Sequence, residues 1–274
     1  MKRFSWSSLV LPAVLSLSAC AHGGKADFDL VSVPGKSVFE SEEDFSFAIL
    51  GGRYKIFSNP WNKGATTGRY RQKIFIKEDN GQPVFGWIWK WRESSGVATY
   101  PEVLVGHSPW QGETAPDSGF PFQIGTKKLV VDYDITMSAS GAYNLAFEFW
   151  TVSSLPVNKD GISSEVMIWV AGEQLGAAGN VVGKVTLSGN TFTIFQNKSH
   201  GDASGTHSNK WAIVSLLAER PLLKARLDIG EIIDFLAKNS YLSPGDYVSD
   251  LELGNEVMRG AGTTVVRKLD VLVQ

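Results

Sequence analysis

From about Phe45 onward, short runs rich in Val, Ile, Phe, Trp and Thr alternate with Gly, Asn, Ser and Asp, and helical spacing intervenes in one place only. The runs fall at 72–77, 84–91, 128–137, 143–151, 165–171, 181–187, 191–197, 211–218 and 247–253. Each reads as a strand, and Asp79-Asn80-Gly81 and Ser188-Gly189-Asn190 read as hairpin connections. A parallel sheet needs long crossovers between strands, usually helices, and no such alternation is present. The texture therefore predicts an all-β domain, a jelly-roll sandwich of two curved antiparallel sheets. The exception begins at Asp228, where Ile229, Ile232, Ile233 and Leu236 recur at helical spacing and Pro244-Gly245 follows. Asp228 and Glu231 have the spacing of a capping box. A single helix on the convex back of a sheet is expected.

The 274 residues carry a formal net charge of −2, with acids and bases interspersed, so nothing resembles the basic surface that nucleic acid binding requires. Nine Trp residues are many for one domain, and exposed Trp rings are platforms for the C–H faces of sugars. His107, His200 and His207 lack metal-ligand spacing, and no metal or other cofactor is expected. A monomer is expected.

Lys2 and Arg3 precede a short apolar stretch from Leu9 to Leu17, too short to span a bilayer and suited to a secretory leader. Leu17-Ser18-Ala19-Cys20 resembles the bacterial lipobox, in which the Cys is acylated and becomes the new N-terminus. Cys20 is the single cysteine, so an internal disulfide is excluded and lipidation gives it a purpose. No Asp follows it at the sorting position, which by resemblance to sorted lipoproteins favours the outer membrane. The expected organisation is a leader over 1–19, a lipidated tether over 20–44 with an acidic run at 40–44, and one domain over 45–274.

Strand alternation locates candidate chemistry. Along 165–170, Val166, Ile168 and Val170 form a core face, leaving Glu165, Met167 and Trp169 on the other. Along 144–150, Leu145, Phe147 and Phe149 oppose Asn144, Ala146, Glu148 and Trp150. In the last case Leu251 and Leu253 oppose Asp250, Glu252, Gly254 and Glu256. A carboxylate beside Met and Trp suits a sugar cleft. Gly254 marks either close approach of a sugar to the backbone or a bulge. Trp87, Trp89 and Trp91 share one face, a core wall from which Trp91 is expected to reach the cleft.

Several blocks resemble glycoside hydrolase family 12. Residues 164–169 are similar to its E-x-M-I-W strand, 254–260 to its G-x-E-x-x-x-G segment, and 144–151 to its N-x-A-Y-D-x-x-T strand. Ser58-Asn59-Pro60-Trp61 is similar to N-N-x-W, and Trp89-Lys90-Trp91 with residues 97–101 to the W-x-W and V-x-S-Y-P blocks. The blocks keep the family's order and, with its single helix, cover 54–273. The resemblance implies Glu165 as nucleophile and Glu256 as general acid/base of a retaining endo-β-1,4-glucanase. Glu148 falls where the family has an Asp bonded to the nucleophile, one methylene shorter. Asn59, Trp61, Trp91, Asn144, Met167 and Trp169 are implied as substrate-binding residues. The substrate implied is a β-glucan, cellulose-type or mixed-linkage; xyloglucan is the alternative, and a non-catalytic glucan-binding lipoprotein is the alternative of another class.

The leader reading has a direct test. Cys20→Ser moves the protein from the membrane fraction to a soluble or uncleaved form; unchanged, detergent-dependent membrane association of that variant rules the anchor out.

Overall fold

The computed structural model describes Leu30 and residues 32–274. The leader and Cys20 lie outside the described residues. In chain order the elements are β1 (Lys36–Ser41), β2 (Phe47–Leu50), β3 (Tyr54–Phe57), β4 (Tyr70–Asp79), β5 (Gln82–Trp91) and β6 (Glu102–Ser108). Next come β7 (Gly112–Glu113), β8 (Phe122–Gln123), β9 (Leu129–Val152), β10 (Ile162–Glu173), β11 (Asn180–Leu187) and β12 (Asn190–Gly201). The chain continues with β13 (Lys210–Ala218), β14 (Lys224–Asp228), α1 (Ile229–Lys238), β15 (Tyr247–Val248), β16 (Asp250–Gly254) and β17 (Val257–Val273).

Two sheets form, and they share β9. One runs β1-β4-β5-β17-β9-β14 and uses the first half of β9. The other runs β2-β3-β6-β16-β9-β10-β13-β12-β11 and uses the second half. The runs expected at 128–137 and 143–151 are thus one 24-residue strand. Its turn from one sheet into the other lies where Gly141 pairs with Gly260. Both have positive φ, and a Cβ on either would sit about 2 Å from a carbonyl oxygen of the partner strand. Only glycine lets the two backbones approach this closely.

One pairing departs from the expected antiparallel sheets: β10 and β13 run parallel, Glu165 opposite Ile213 and Met167 opposite Ser215. The connection between them is supplied by the β11–β12 hairpin, which serves where a crossover helix usually would.

The core lies between the sheets. Trp87 and Trp89 of β5, Leu145, Phe147 and Phe149 of β9, and Val166, Ile168 and Val170 of β10 all enter it. α1 continues directly from edge strand β14 and adds Ile229, Ile232, Ile233 and Leu236. Only half of the capping box forms. Asp228 Oδ1 accepts from Glu231 N–H at 3.0 Å, while the Glu231 carboxylate turns to Ser188 N–H at 2.7 Å, tying the helix to the β11–β12 turn.

The acidic tether expected to end at residue 44 is in fact partly built into the sheet. β1 pairs with β4, and Glu40 bonds Lys73 and Lys77, Glu42 bonds Arg71, and Asp44 bonds Lys63 and Tyr70. The acidic run therefore faces a basic strand, a charge pairing invisible without the register. β2, β3 and β6 were also missed, their runs being too short or too interrupted to stand out.

The glycine pair generates a prediction. Gly141→Ala places a side chain at φ +120° against the Arg259 carbonyl, and destabilises the fold by at least about 2 kcal/mol in urea unfolding. A loss below roughly 0.5 kcal/mol, the usual range of a surface substitution, would show that the crossing has slack.

Candidate active site

The face of the β9–β10 sheet turned away from the core is hollowed into a cleft of about 460 Å³. Of the residues singled out above, Asn59, Trp61, Glu148, Glu165, Met167, Trp169 and Glu256 line it. Alternation accounts for most of this. Glu165, Met167 and Trp169 are successive outward positions of β10, and Met167 stands opposite Glu148 on β9.

Glu165 is 7% exposed and its Oε2 accepts the indole N–H of Trp211 at 2.8 Å. An indole nitrogen can only donate, so this bond favours the ionised carboxylate. Burial works the other way and outweighs it: the Glu165 carboxyl is pushed up to about 8, with the charge of Glu256 adding to the rise. Glu148 is raised well above the ordinary range, first by burial and then by the like charges of Glu165 and Glu256. Glu148 and Glu165 cannot both ionise at modest cost.

Glu256 follows β16 and keeps part of its side chain open to the cleft. Asn144 holds it at two points: the amide nitrogen donates to Glu256 Oε2, and the amide oxygen accepts Glu256 N–H at 2.9 Å. Beside it, Asn255 turns inward. Its Oδ1 accepts from Trp87 Nε1 at 2.6 Å and Thr264 Oγ1 at 2.7 Å, and its amide nitrogen donates to the Asn144 carbonyl at 2.5 Å. The Glu256 carboxyl is pushed up to about 7 by burial, against the lowering effect of Asn144.

Two expected substrate-binding residues lie elsewhere. Asn144 is fully buried beneath Glu256 and touches the site through that carboxyl. Trp91 is 2% exposed, stacks on Tyr70 with ring centroids 4.1 Å apart, and donates to Gln72 Oε1 at 3.1 Å. It belongs to the other sheet, whose Trp face is the core wall throughout. Gly254 is likewise not a point of sugar approach: a Cβ there would meet the Tyr100 ring and the Pro101 carbonyl at 2.8 Å.

Comparison with known proteins identifies the family. The model of glycosyl hydrolase family 12 matches residues 52–272. The chain belongs to that family. It is similar to endoglucanase S of Pectobacterium parmentieri, 28% identical with 82% of this chain and 84% of that protein covered. Xyloglucan-specific endo-beta-1,4-glucanase A of Emericella nidulans is 24% identical, with 78% and 82% covered. Among solved structures, the family 12 xyloglucanase from Bacillus licheniformis in complex with ligand superposes with a TM-score of 0.78 at 26% identity, covering 86% of this chain and all of that one. The family 12 assignment makes the chain a glycoside hydrolase of the endoglucanase/xyloglucanase family.

Sequence reading missed several groups in this family 12 cleft. Trp211 was read only as the start of a strand; its bond to Glu165 depends on the parallel β10–β13 pairing, for which no local pattern exists. Trp110, from the β6–β7 turn, packs edge-on to Trp150, Trp211 and His207 at 5.6–5.9 Å and remains 37% exposed in the cleft. Glu102 was unremarked, yet it is fully buried beside Glu252 and Asp250. Burial pushes Glu102 and Asp250 up to about 7 and Glu252 well above the ordinary range.

These shifts set a pH dependence of stability. Each raised carboxyl binds its proton more tightly in the folded than in the unfolded chain, where values lie near 4.5 for Glu. Between about 4.5 and about 8 the folded state therefore holds more protons, and stability is lost as pH rises through that window. The melting temperature is expected to fall from about pH 5 to about pH 8, and Glu252→Gln to flatten the decline. A wild-type melting temperature that rises over the same range would mean that these carboxyls ionise freely in the folded protein.

Proposed function

We propose that this family 12 protein is a retaining endo-β-1,4-glucanase, with Glu165 as nucleophile and Glu256 as general acid/base. The observation that carries the reading is the pair of unlike settings for two carboxyls in one cleft. Glu165 sits deep on a strand with an indole donor favouring its anion. Glu256 stands at the cleft surface, partly open and held by the Asn144 amide, where a leaving oxygen and then a water can reach its carboxyl.

In the first step the Glu165 carboxylate attacks the anomeric carbon as the bond to the leaving oxygen breaks, and Glu256 gives that oxygen its proton. A glycosyl ester at Glu165 results. Glu256, now ionised, takes a proton from water, whose oxygen attacks the anomeric carbon and releases Glu165. A retaining pair is expected at roughly 5 Å separation, close enough for each charge to act on the other. Glu148, raised well above the ordinary range by burial and then by the charges of Glu165 and Glu256, favours its neutral form beside an ionised Glu165. Asn59, Trp61, Met167 and Trp169 line the path of the chain and are proposed to hold the sugars.

Xyloglucan as substrate is the second reading, favoured by the similarity to the Bacillus licheniformis xyloglucanase. Export and a lipid anchor at Cys20 complete the proposal and rest on the leader pattern alone. Release of reducing ends from carboxymethyl cellulose, mixed-linkage β-glucan, xyloglucan and xylan separates the substrates; no release from any would favour a glucan-binding protein.

The division of labour is tested by chemical rescue. Glu165→Ala loses turnover of every substrate, activated or not. Glu256→Ala is slowed most on polysaccharide, still forms the glycosyl-enzyme from an activated aryl glycoside, and is rescued by azide to give the β-glycosyl azide. In the wild type, kcat/KM declines above about pH 7 as Glu256 loses its proton, and Glu256→Ala with the aryl substrate lacks that limb. An α-glycosyl azide from Glu256→Ala would exchange the two roles.

A further inference from the structure

Below Asn59 the cleft wall contains a carboxyl pair with no part in the mechanism above. Glu102 on β6 and Glu252 on β16 lie on adjacent strands, two positions apart on the same face, since Gly254 pairs with Glu102 and Glu252 with Leu104. Glu102 Oε2 and Glu252 Oε1 are both buried, and no nitrogen or hydroxyl donor reaches either. Two ionised carboxylates are acceptors only, so a bond between these neighbours requires a proton. A proton shared by the two gives both oxygens a partner. Asp250 on β16, Glu148 on β9, Glu256 and the Lys55 ammonium on β3 are the other charged or titratable groups that act on the pair, with Tyr100 close by.

The other Glu102 oxygen faces two side-chain amides. Oε1 accepts from Asn59 Nδ2 at 2.8 Å and from Gln111 Nε2 at 2.7 Å. Both amides line the cleft. With their nitrogens drawn back to Glu102, their carbonyl oxygens are the polar atoms left for a ligand. Gln111 Oε1 is buried and has no partner. A buried acceptor without a donor is unfavourable, and a sugar hydroxyl supplies one.

We propose that Glu102, joined to Glu252 by a shared proton, is a positioning residue that turns the Asn59 and Gln111 amides so that their oxygens receive hydroxyls of the bound glucan. The proposal rests on the glucanase reading and extends it to the holding of substrate. It distinguishes Glu102 from an ordinary buried carboxyl by what replaces it: Gln at this position keeps Oε1 for the two amides and offers Glu252 an N–H in place of the shared proton.

The test compares Glu102→Ala, Glu102→Gln and the wild type on a soluble β-glucan. Glu102→Ala raises KM about tenfold while kcat stays within about threefold, and Glu102→Gln brings KM back to within about threefold of wild type. A folded Glu102→Ala with unaltered KM, or a Glu102→Gln as impaired as Glu102→Ala, overturns the proposal. Should Glu102→Ala fail to fold, the infrared spectrum decides: near pH 7 the wild type minus Glu252→Gln difference shows a protonated-carboxyl C=O band. A difference containing only carboxylate bands overturns the shared proton. A wild type that cleaves no β-glucan defeats the glucanase reading instead, and the infrared result still reports on the proton.

Discussion

The site depends on one strand being shared by two sheets. Successive side chains of a strand point to opposite faces, so a strand packed on a core from one side has no freedom of register. In the second half of β9, Leu145, Phe147 and Phe149 fill the core, which turns Glu148 and Trp150 to the cleft. A slip of one residue would bury Glu148 among Phe and Trp rings and expose two Phe. β10 is held to β9 on one side and β13 on the other, so the same constraint sets Glu165, Met167 and Trp169. In its first half β9 pairs with β17, whose start follows Glu256 directly. Both carboxyls assigned to the chemistry are thus placed by ladders to one strand, and the glycine pair at 141 and 260 allows that strand to serve two sheets.

Placing so many carboxyls on one water-poor face is costly, and the protein meets the cost in two ways. Trp211, Asn144, Asn59, Gln111, Ser249 and the Trp150 backbone N–H each donate to one carboxyl or another. Where donors do not suffice, burial raises the carboxyl and favours its neutral form. The contrast with β1 is instructive. Glu40, Glu42 and Asp44 each have a basic partner at the surface, where solvent screens the pair and an isolated bridge contributes at most about 1 kcal/mol. Those acids fasten an edge strand.

How much of this was legible follows from the range of each signal. The faces of β9 and β10 were legible because alternation is local, and Glu148, Glu165, Met167 and Trp169 came out on the cleft as read. The meeting of Glu165 with Glu256 was not local, and only family motifs joined them. Trp91 misled because alternation assigns a residue to a face without saying which side of which sheet that face is; β5 turns its Trp face to the core. Asn144 shared a face with Ala146 and Glu148, but the turn into Glu256 covers it. Trp211 and Glu102 act through pairings, one parallel and one between β6 and β16, that leave no trace in either strand's own composition.

On the proposed roles, the mounting of the two carboxyls bears on how one site runs both steps. A nucleophile must meet the anomeric carbon in one geometry, and a small misplacement is costly in rate. Glu165 is suited to this: it lies within a strand bonded on both sides, is 7% exposed, and is gripped by Trp211. An acid/base must address two partners in turn, first the leaving oxygen and then water. Glu256 lies between β16 and β17 rather than inside a ladder, and its carboxyl reaches the open cleft. It is nonetheless not loose, because Asn144 bonds its backbone and side chain and Asn255 ties the turn to Trp87. When the glycosyl ester forms, Glu256 has given up its proton and Glu165 has become neutral, so no like charge on Glu165 opposes the ionised Glu256 that takes a proton from water.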